Sequence, residues 1–511
     1  MKTKNFLYLI AVIAFTILFY RQDAGINFVL FAGILLSVSA MLNKTVWKTK
    51  QWLTIAAGTF MSAFFVAWYS NSLTIIMAIF SLIIFNIIKN FKRTSYFIAF
   101  FTGIITLGCS VIFMVLGKIN ANRLKQFQKA QPTGNGFKWW PVIIVTIISF
   151  IFMALYSEIN PVFNIYFKSV LPDIDPGWLI FALFGTVLLY TFIYPPRLVK
   201  KLLRLELDYG KTIEHDESIS KTQSDFSIFS NFEHERFSAF LLFVVLNILL
   251  LILNAFDIQY LFLKGELPAS ITYADYVHRG VGAVILSILL AIGVISYYFR
   301  GLINFDTKSK FIKTLTYFWI IQNIVLVIMT AFKNQLYIDA YSLTYKRIGV
   351  YYYLAFAIIG LLLTLYKIYY RKDTWFLFRS NSFVIYVALI LSCAFNWNSI
   401  VTRYNLENSQ EVDYCYLNTL GFQNYPLLWE SKYYDPKQNQ EYELQLTGKA
   451  EHYFLPPEIG EFLMDYESTG IQSYSISREK TYRYFLQLAK SNKLITNQDT
   501  LKEELETNKQ Q

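Results

Sequence analysis

The sequence predicts an all-α fold: a polytopic bundle of about twelve transmembrane helices followed by a small polar C-terminal domain. Three observations predict it. Of the 511 residues, 55% are hydrophobic and 18% aromatic while 16% are charged, against about 25% charged in a soluble globular protein. The apolar residues fall in continuous runs near the ~20 residues that a helix needs to cross a ~30 Å hydrocarbon core. A closed barrel, the other spanning solution, would instead alternate polarity over ~10-residue segments. Tryptophan and tyrosine gather at the ends of the runs (Trp52, Trp68, Tyr69, Trp139, Trp140, Trp178, Tyr194, Tyr297, Tyr298), where interfacial anchors belong.

Taken in order, Lys2 and Lys4 precede an apolar run at 5–20. A second run starts at Ile26 and no small-residue cleavage pattern lies between, so a retained helix is expected rather than a signal peptide. Further spans fall at 26–42, 52–69, 72–88, 95–117, 139–157, 178–194, 238–256, 280–299, 314–332, 349–366 and 383–398. The membrane domain is therefore placed at 1–398 and the polar, acidic tail at 399–511. In the loop 195–237, Pro195-Pro196 stops a helix. Basic and apolar residues then alternate over 197–205, which suits either an amphipathic helix on anionic headgroups or a helix that overruns the membrane edge. Residues 211–236 are polar, with His215 and His234 read as solvated. In the tail, Pro456-Pro457-Glu458 opens a helix with an acid at its positive end, and 479–506 shows helical periodicity.

The net charge of +11 hides a division: residues 1–398 carry +17 and the tail −6. The basic loops 118–138, 195–237, 300–313 and 367–382 hold 20 Lys and Arg, against 6 in the alternating loops 157–177, 257–279 and 333–348. The positive-inside rule puts the first set in the cytoplasm of a bacterial inner-membrane protein and the tail outside. The first half disagrees, because 89–94 and 118–138 are both basic yet one span separates them. Basic loops imply contact with anionic lipid of the inner leaflet; a basic, aromatic-interleaved module for nucleic acid is missing. Three cysteines (Cys109, Cys393, Cys415) and four histidines (His215, His234, His278, His452) form no metal-ligand or redox spacing. No disulfide, metal site or cofactor is expected.

Ionisable and amide groups at membrane depth are costly and hence mark candidate sites. Asn247 and Asn254 are seven residues apart on one helical face, with Asp257 close to it. The next loop ends in Asp275, His278 and Arg279, just before the following span. Together they make a candidate proton- or ion-linked site, since a histidine beside a carboxylate can pass a proton near neutral pH. The plainer reading, which carries more weight, is hydrogen bonding between helices and interfacial pairing. Gln322 and Asn323 form a second candidate with the same plainer reading. Tyr351-Tyr352-Tyr353 reads as packing, and Gly280 and Gly282 as permitting close helix approach.

Several span ends share local patterns. Ser157-Glu158-Ile159-Asn160-Pro161-Val162-Phe163 resembles a Ser-Ala-Asp-Pro-Val-Phe motif. Tyr273 to Gly280 resembles a Tyr-Ala…Arg-Gly helix start. Tyr341-Ser342-Leu343-Thr344-Tyr345-Lys346-Arg347 resembles a Tyr-Gly-Leu-Thr…Arg turn. Arg403-Tyr404-Asn405-Leu406 and Val412 to Leu417 resemble an Arg-Tyr-Asn…Asp…Tyr-Leu pattern. The set resembles a family of bacterial integral membrane proteins, domain of unknown function 4173, over roughly residues 150–430. Asn160 stands where that pattern has Asp, and Ser342 where it has Gly. The resemblance implies membrane location and fold, and brings no activity.

Three function classes follow. The leading one is a transporter or permease-like protein with a polar ion-linked site at Asn247, Asn254, Asp257, Asp275, His278 and Arg279. The second is a membrane-embedded enzyme acting on a lipid-linked envelope substrate, with Asp23 or Glu158 as its outer-facing acid. The third is a non-catalytic envelope-assembly or signalling component whose tail, 399–511, binds an envelope protein. The sequence leaves enzyme activity open.

Overall fold

A chain rich in 17–20-residue apolar runs can satisfy its backbone in lipid only by coiling each run into a helix, and the computed structural model has that form. It describes residues 2–42, 49–89, 94–114, 176–196, 231–262, 273–446 and 450–491, with isolated positions between 145 and 160 and at 199 and 448. The chain divides into two units. The first comprises Met1–Arg93, Ile98–Arg204 and Ser468–Ser477; the second comprises Thr94–Phe97, Leu205–Glu467 and Arg478–Gln511.

In the first unit lie α1 (Lys2–Phe19), α2 (Ile26–Leu42), α3 (Lys50–Tyr69), α4 (Ser72–Ile88), most of α5 (Tyr96–Gly108) and α6 (Pro176–Ile193). Their ends are set by short polar side chains. Thr49 caps α3, and Asn71 with Thr74 forms a capping box that starts α4 after only two intervening residues. The α1–α2 turn is tied by Asn27, whose Oδ1 accepts from Gly25 N (2.8 Å) and whose Nδ2 donates to the Asp23 carbonyl (2.8 Å). The same turn holds the segment 468–477: Asp23 N donates to Ser473 Oγ (2.9 Å) and Ile26 N to the Tyr474 carbonyl (2.9 Å). Close helix approach occurs at Gly103, where a Cβ would sit 2.5 Å from Ile83 Cγ2 and 3.0 Å from the Ile83 carbonyl. At Gly282 a Cβ would meet nothing within 4 Å, so the expected close approach there is not found.

The second unit is built on α7 (Phe232–Phe262), α8 (Tyr273–Tyr298), α9 (Lys310–Tyr341), α10 (Tyr345–Tyr369) and α11 (Thr374–Ser392). Their core joins Phe243, Ile288, Phe299, Ile320, Val327 and Leu361. Asn247 Nδ2 donates to the Leu315 carbonyl (3.1 Å) and Asn254 Nδ2 to the Gln322 carbonyl (3.1 Å). Tyr353 Oη donates to the Ile285 carbonyl (3.1 Å) and Lys367 Nζ to the Phe299 carbonyl (3.0 Å). All four bonds span 68 residues. Helices α7 and α9 therefore run parallel in a fixed register, and so do α8 and α10.

After α11 come α12 (Trp397–Asn408), α13 (Tyr414–Asn418) and α14 (Tyr425–Glu430). An antiparallel hairpin, β1 (Gln440–Leu444) with β2 (Glu451–Leu455), follows, then α15 (Pro457–Ser468) and α16 (Ile476–Lys490). Glu458 lies in the first turn of α15, as its sequence suggests. The helical reading of 479–506 holds as far as Lys490, and the rest lies outside the described residues. The hairpin buries Leu444, Tyr453 and Leu455 against Ile459, Leu463 and Phe485. The all-α expectation is thus met, and the described residues add one small β hairpin to it.

Among the described residues, five helices are long and apolar enough to cross a membrane: Lys50–Tyr69, Phe232–Phe262, Thr307–Tyr341, Tyr345–Tyr369 and Thr374–Ser392. Six shorter apolar helices occupy expected spans, and the span expected at 139–157 falls almost wholly outside the described residues, as does the amphipathic segment 197–205.

A candidate polar site between two helices

Helix α7 buries Glu235, Ala239, Phe243, Asn247, Leu250, Asn254 and Asp257. The three-to-four-residue spacing makes a single stripe. It is met by a stripe on α9 that includes Trp319, Gln322, Asn323, Leu326, Thr330, Lys333 and Asn334. Where polar positions of the two stripes coincide, they bond. Gln322 Nε2 donates to Asn247 Oδ1 at 2.7 Å, and Asn247 Nδ2 also reaches the Phe243 carbonyl at 2.6 Å. Asn323 instead turns to its own helix and donates to the Trp319 carbonyl (2.8 Å). Two acceptors on the seam, Asn254 Oδ1 and Gln322 Oε1, have no hydrogen-bond partner among the described residues.

At the end of the seam Lys333 Nζ lies 2.6 Å from Asp257 Oδ1, with side chains 10% and 6% exposed. That exposure decides how to weigh the pair: a surface ion pair contributes ~0–1 kcal/mol, whereas breaking a buried one costs about 3–5 kcal/mol. Both residues lie inside helices. Asp257 is five residues from the end of α7 and Lys333 eight from the end of α9. The expected loop 257–279 is therefore shorter, and Lys333 is not a loop charge.

The predicted partners of Asp257 stand differently. Asp275, His278 and Arg279 belong to the first two turns of α8 rather than to a loop, and their side chains lie outside the described residues. Lys333, the carboxylate's partner, was not among the predicted site residues. One signal pointed to it: it follows Gln322 by eleven residues, three helical turns, on the same face.

Beside Lys333, Asn334 Nδ2 donates to the Arg347 carbonyl (3.2 Å), which carries the polar path to the α9–α10 turn. Here two of the sequence motifs meet. Asn405 receives Leu343 N on Oδ1 (2.7 Å) and donates from Nδ2 to the Leu343 carbonyl (2.9 Å). Arg347 donates to the carbonyls of Tyr341 and Ser342 and lies over the Tyr337 ring, 4.4 Å from its centroid. Tyr345 N donates to Tyr416 Oη (3.0 Å), and Ser409 Oγ to Ser342 Oγ (2.7 Å). Thr344 is the N-cap residue of α10 without a side-chain cap bond. Tyr341 and Arg403 are exposed and Tyr404 half-buried. Asn160 ends a helical turn through its N–H to the Tyr156 carbonyl (3.0 Å), and Pro161 lies outside the described residues.

The opposite end of the second unit is ionic. Arg300 Nη1 meets Glu235 Oε1 at 3.0 Å and Arg236 Nη1 meets Asp306 Oδ2 at 3.2 Å. Burial opposes ionisation of Asp306, but the Lys308 N–H, the Ser309 hydroxyl and Arg236 outweigh it and lower its pKa. Of the acids considered for an enzyme, Asp23 is exposed in the α1–α2 turn, and Glu158 lies outside the described residues.

The family model for a domain of unknown function, DUF4153, matches residues 30–430. The chain belongs to the DUF4153 family. The matched number differs from the 4173 family that the local motifs resemble, so that resemblance is corrected while the family type stands. The DUF4153 region contains the whole seam and the α9–α10 turn and ends before the β hairpin. No curated protein matches the chain. No solved structure matches it either.

Proposed function

We propose that this DUF4153 protein is a multi-pass protein of the bacterial cytoplasmic membrane, of about twelve spans, with a permease-like ion-linked site at Asp257 and Lys333. The observation that carries the reading is the buried 2.6 Å pair. Replacing such a pair by apolar residues is often neutral or stabilising, so a pair buried between two apolar helices supports a task rather than a stabilising role. In this reading the transported ion competes for one member of the pair and loosens its 2.6 Å contact with the other. The carbonyl oxygens of Asn254 and Gln322 offer the hard ligands that a cation takes in place of water.

In this reading the basic loops face the cytoplasm and anionic lipid, and the acidic tail lies outside, where it can meet an envelope protein. The upper seam supports helix association: the Asn247–Gln322 bond joins α7 to α9 as the plainer sequence reading has it.

The test is a pH jump on full-length protein in liposomes on a solid-supported membrane. A transient current is expected from the wild type and is lost in Asp257→Asn and in Lys333→Met, each checked for insertion. Wild-type currents no larger than those of empty liposomes would sink the proposal.

A further inference from the structure

The first unit holds a cavity of about 420 Å³, within the ~300–1,000 Å³ of small-molecule sites. Its wall is aromatic: Phe15, Phe31, Phe181, Phe184 and Phe192 come from three helices. Among the described residues, Asn86 is the single polar one that lines it.

One turn beyond Asn86, Lys89 ends α4 and is 3% exposed. Its ammonium lies over the Phe192 ring, 2.9 Å from the centroid, and donates to the Phe192 carbonyl. Phe192 thus touches both the cavity and the cation. Among the described residues no carboxylate lies within ion-pair distance of Lys89, whereas Lys333, Arg236 and Arg300 each have one. An ammonium carries three donors, and the Phe192 carbonyl occupies one. A cation buried without counter-charge is expensive, and an aromatic slot beside it suits an apolar chain.

We propose that this cavity holds one acyl chain of an anionic phospholipid, whose phosphate neutralises Lys89. A neutral lipid would fill the slot without bringing a counter-charge to Lys89, and a free phosphate would do the reverse. The site is separate from the Asp257–Lys333 pair, and the proposal stands whether or not the protein transports ions.

The experiment is native mass spectrometry of the delipidated full-length protein with dioleoyl phosphatidylglycerol or dioleoyl phosphatidylcholine. The first adduct is expected to form about tenfold more tightly with the anionic lipid, the scale of one charge-assisted hydrogen bond. Lys89→Met should erase that preference and Lys89→Arg keep it, while Leu188→Trp, which fills the slot, should weaken both lipids. Equal retention of the two lipids by the wild type, or a preference that survives Lys89→Met, overturns the proposal. Displacement of the lipid by oleate at equal concentration, or by millimolar inorganic phosphate, overturns it as well, by assigning the site to a fatty acid or to a free anion.

Discussion

Replacing Lys333 by Met, Asp257 by Leu, and then both, isolates the buried pair. At an effective dielectric of about 20, opposite charges this close attract by roughly 6 kcal/mol. Desolvation takes back several kcal/mol per ion, so the intact pair contributes little net stability. The single variants are different: each leaves one buried ion without this counter-charge. With side chains 10% and 6% exposed, water can restore little of the loss, and each single variant should lose about 3–5 kcal/mol. The double variant puts two apolar side chains in contact and should fall within about 1 kcal/mol of the wild type. The coupling is therefore expected at about 5 kcal/mol or more, well above the ~0.6 kcal/mol typical of polar contacts between membrane helices. Reversible unfolding of the full chain in mixed micelles measures it. Additive variants, with coupling under about 0.5 kcal/mol, would mean that the two charges do not sense each other.

Other outcomes follow from the same geometry. Asn405→Ala removes both bonds to the Leu343 backbone and should destabilise the α9–α10 turn by about 1–3 kcal/mol, seen as faster amide exchange at 342–346. Glu479 is partly buried, which raises its pKa, but the Tyr466 hydroxyl and Arg483 lower it more. Its folded pKa thus lies below the unfolded one, and the stability it adds is present above pH ~4.5 and lost as pH falls through the folded value. Tyr466→Phe should shift the acid unfolding midpoint upward, as read by tryptophan fluorescence. Cys415 is exposed while Cys393 is buried, so a membrane-impermeant maleimide on intact cells should label Cys415 if the tail is extracytoplasmic. Labelling only after lysis would place the tail inside.

Much of the framework is written in the apolar runs, because backbone satisfaction in lipid leaves few choices. Asn247, Asn254 and Asp257 share a face in the sequence and share it in α7. What the sequence conceals is which helix that face meets. Lys333 looked like the first residue of a loop because charge usually marks a membrane edge; burial against Asp257 keeps it inside α9. The pairing of Leu343 with Asn405, 62 residues apart, is a tertiary fact of the same kind. Ser342 is instructive in another way. The resembling motif has glycine there, and the chain does adopt φ +71°, a region that favours glycine; the bond from Ser409 Oγ offsets part of that strain. The β hairpin was missed because Gln440 to Leu444 is short and mostly polar.

The common 68-residue spacing between α7 and α9 has a mechanical side. The contacts work like teeth of an indexed rack. Sliding α9 along α7 by less than a full step leaves Asn247, Asn254 and Asp257 all out of mesh at once. A full step of one turn, ~5.4 Å, restores backbone acceptors to the two asparagines, because every turn of α9 offers an equivalent carbonyl. It does not restore the charge, since the α9 residues one turn from Lys333 are Met329 and Thr330 on one side and Leu336 and Tyr337 on the other. The amides tolerate notches, and the ion pair names one of them. Any motion that uses this rack must first unlock at Asp257.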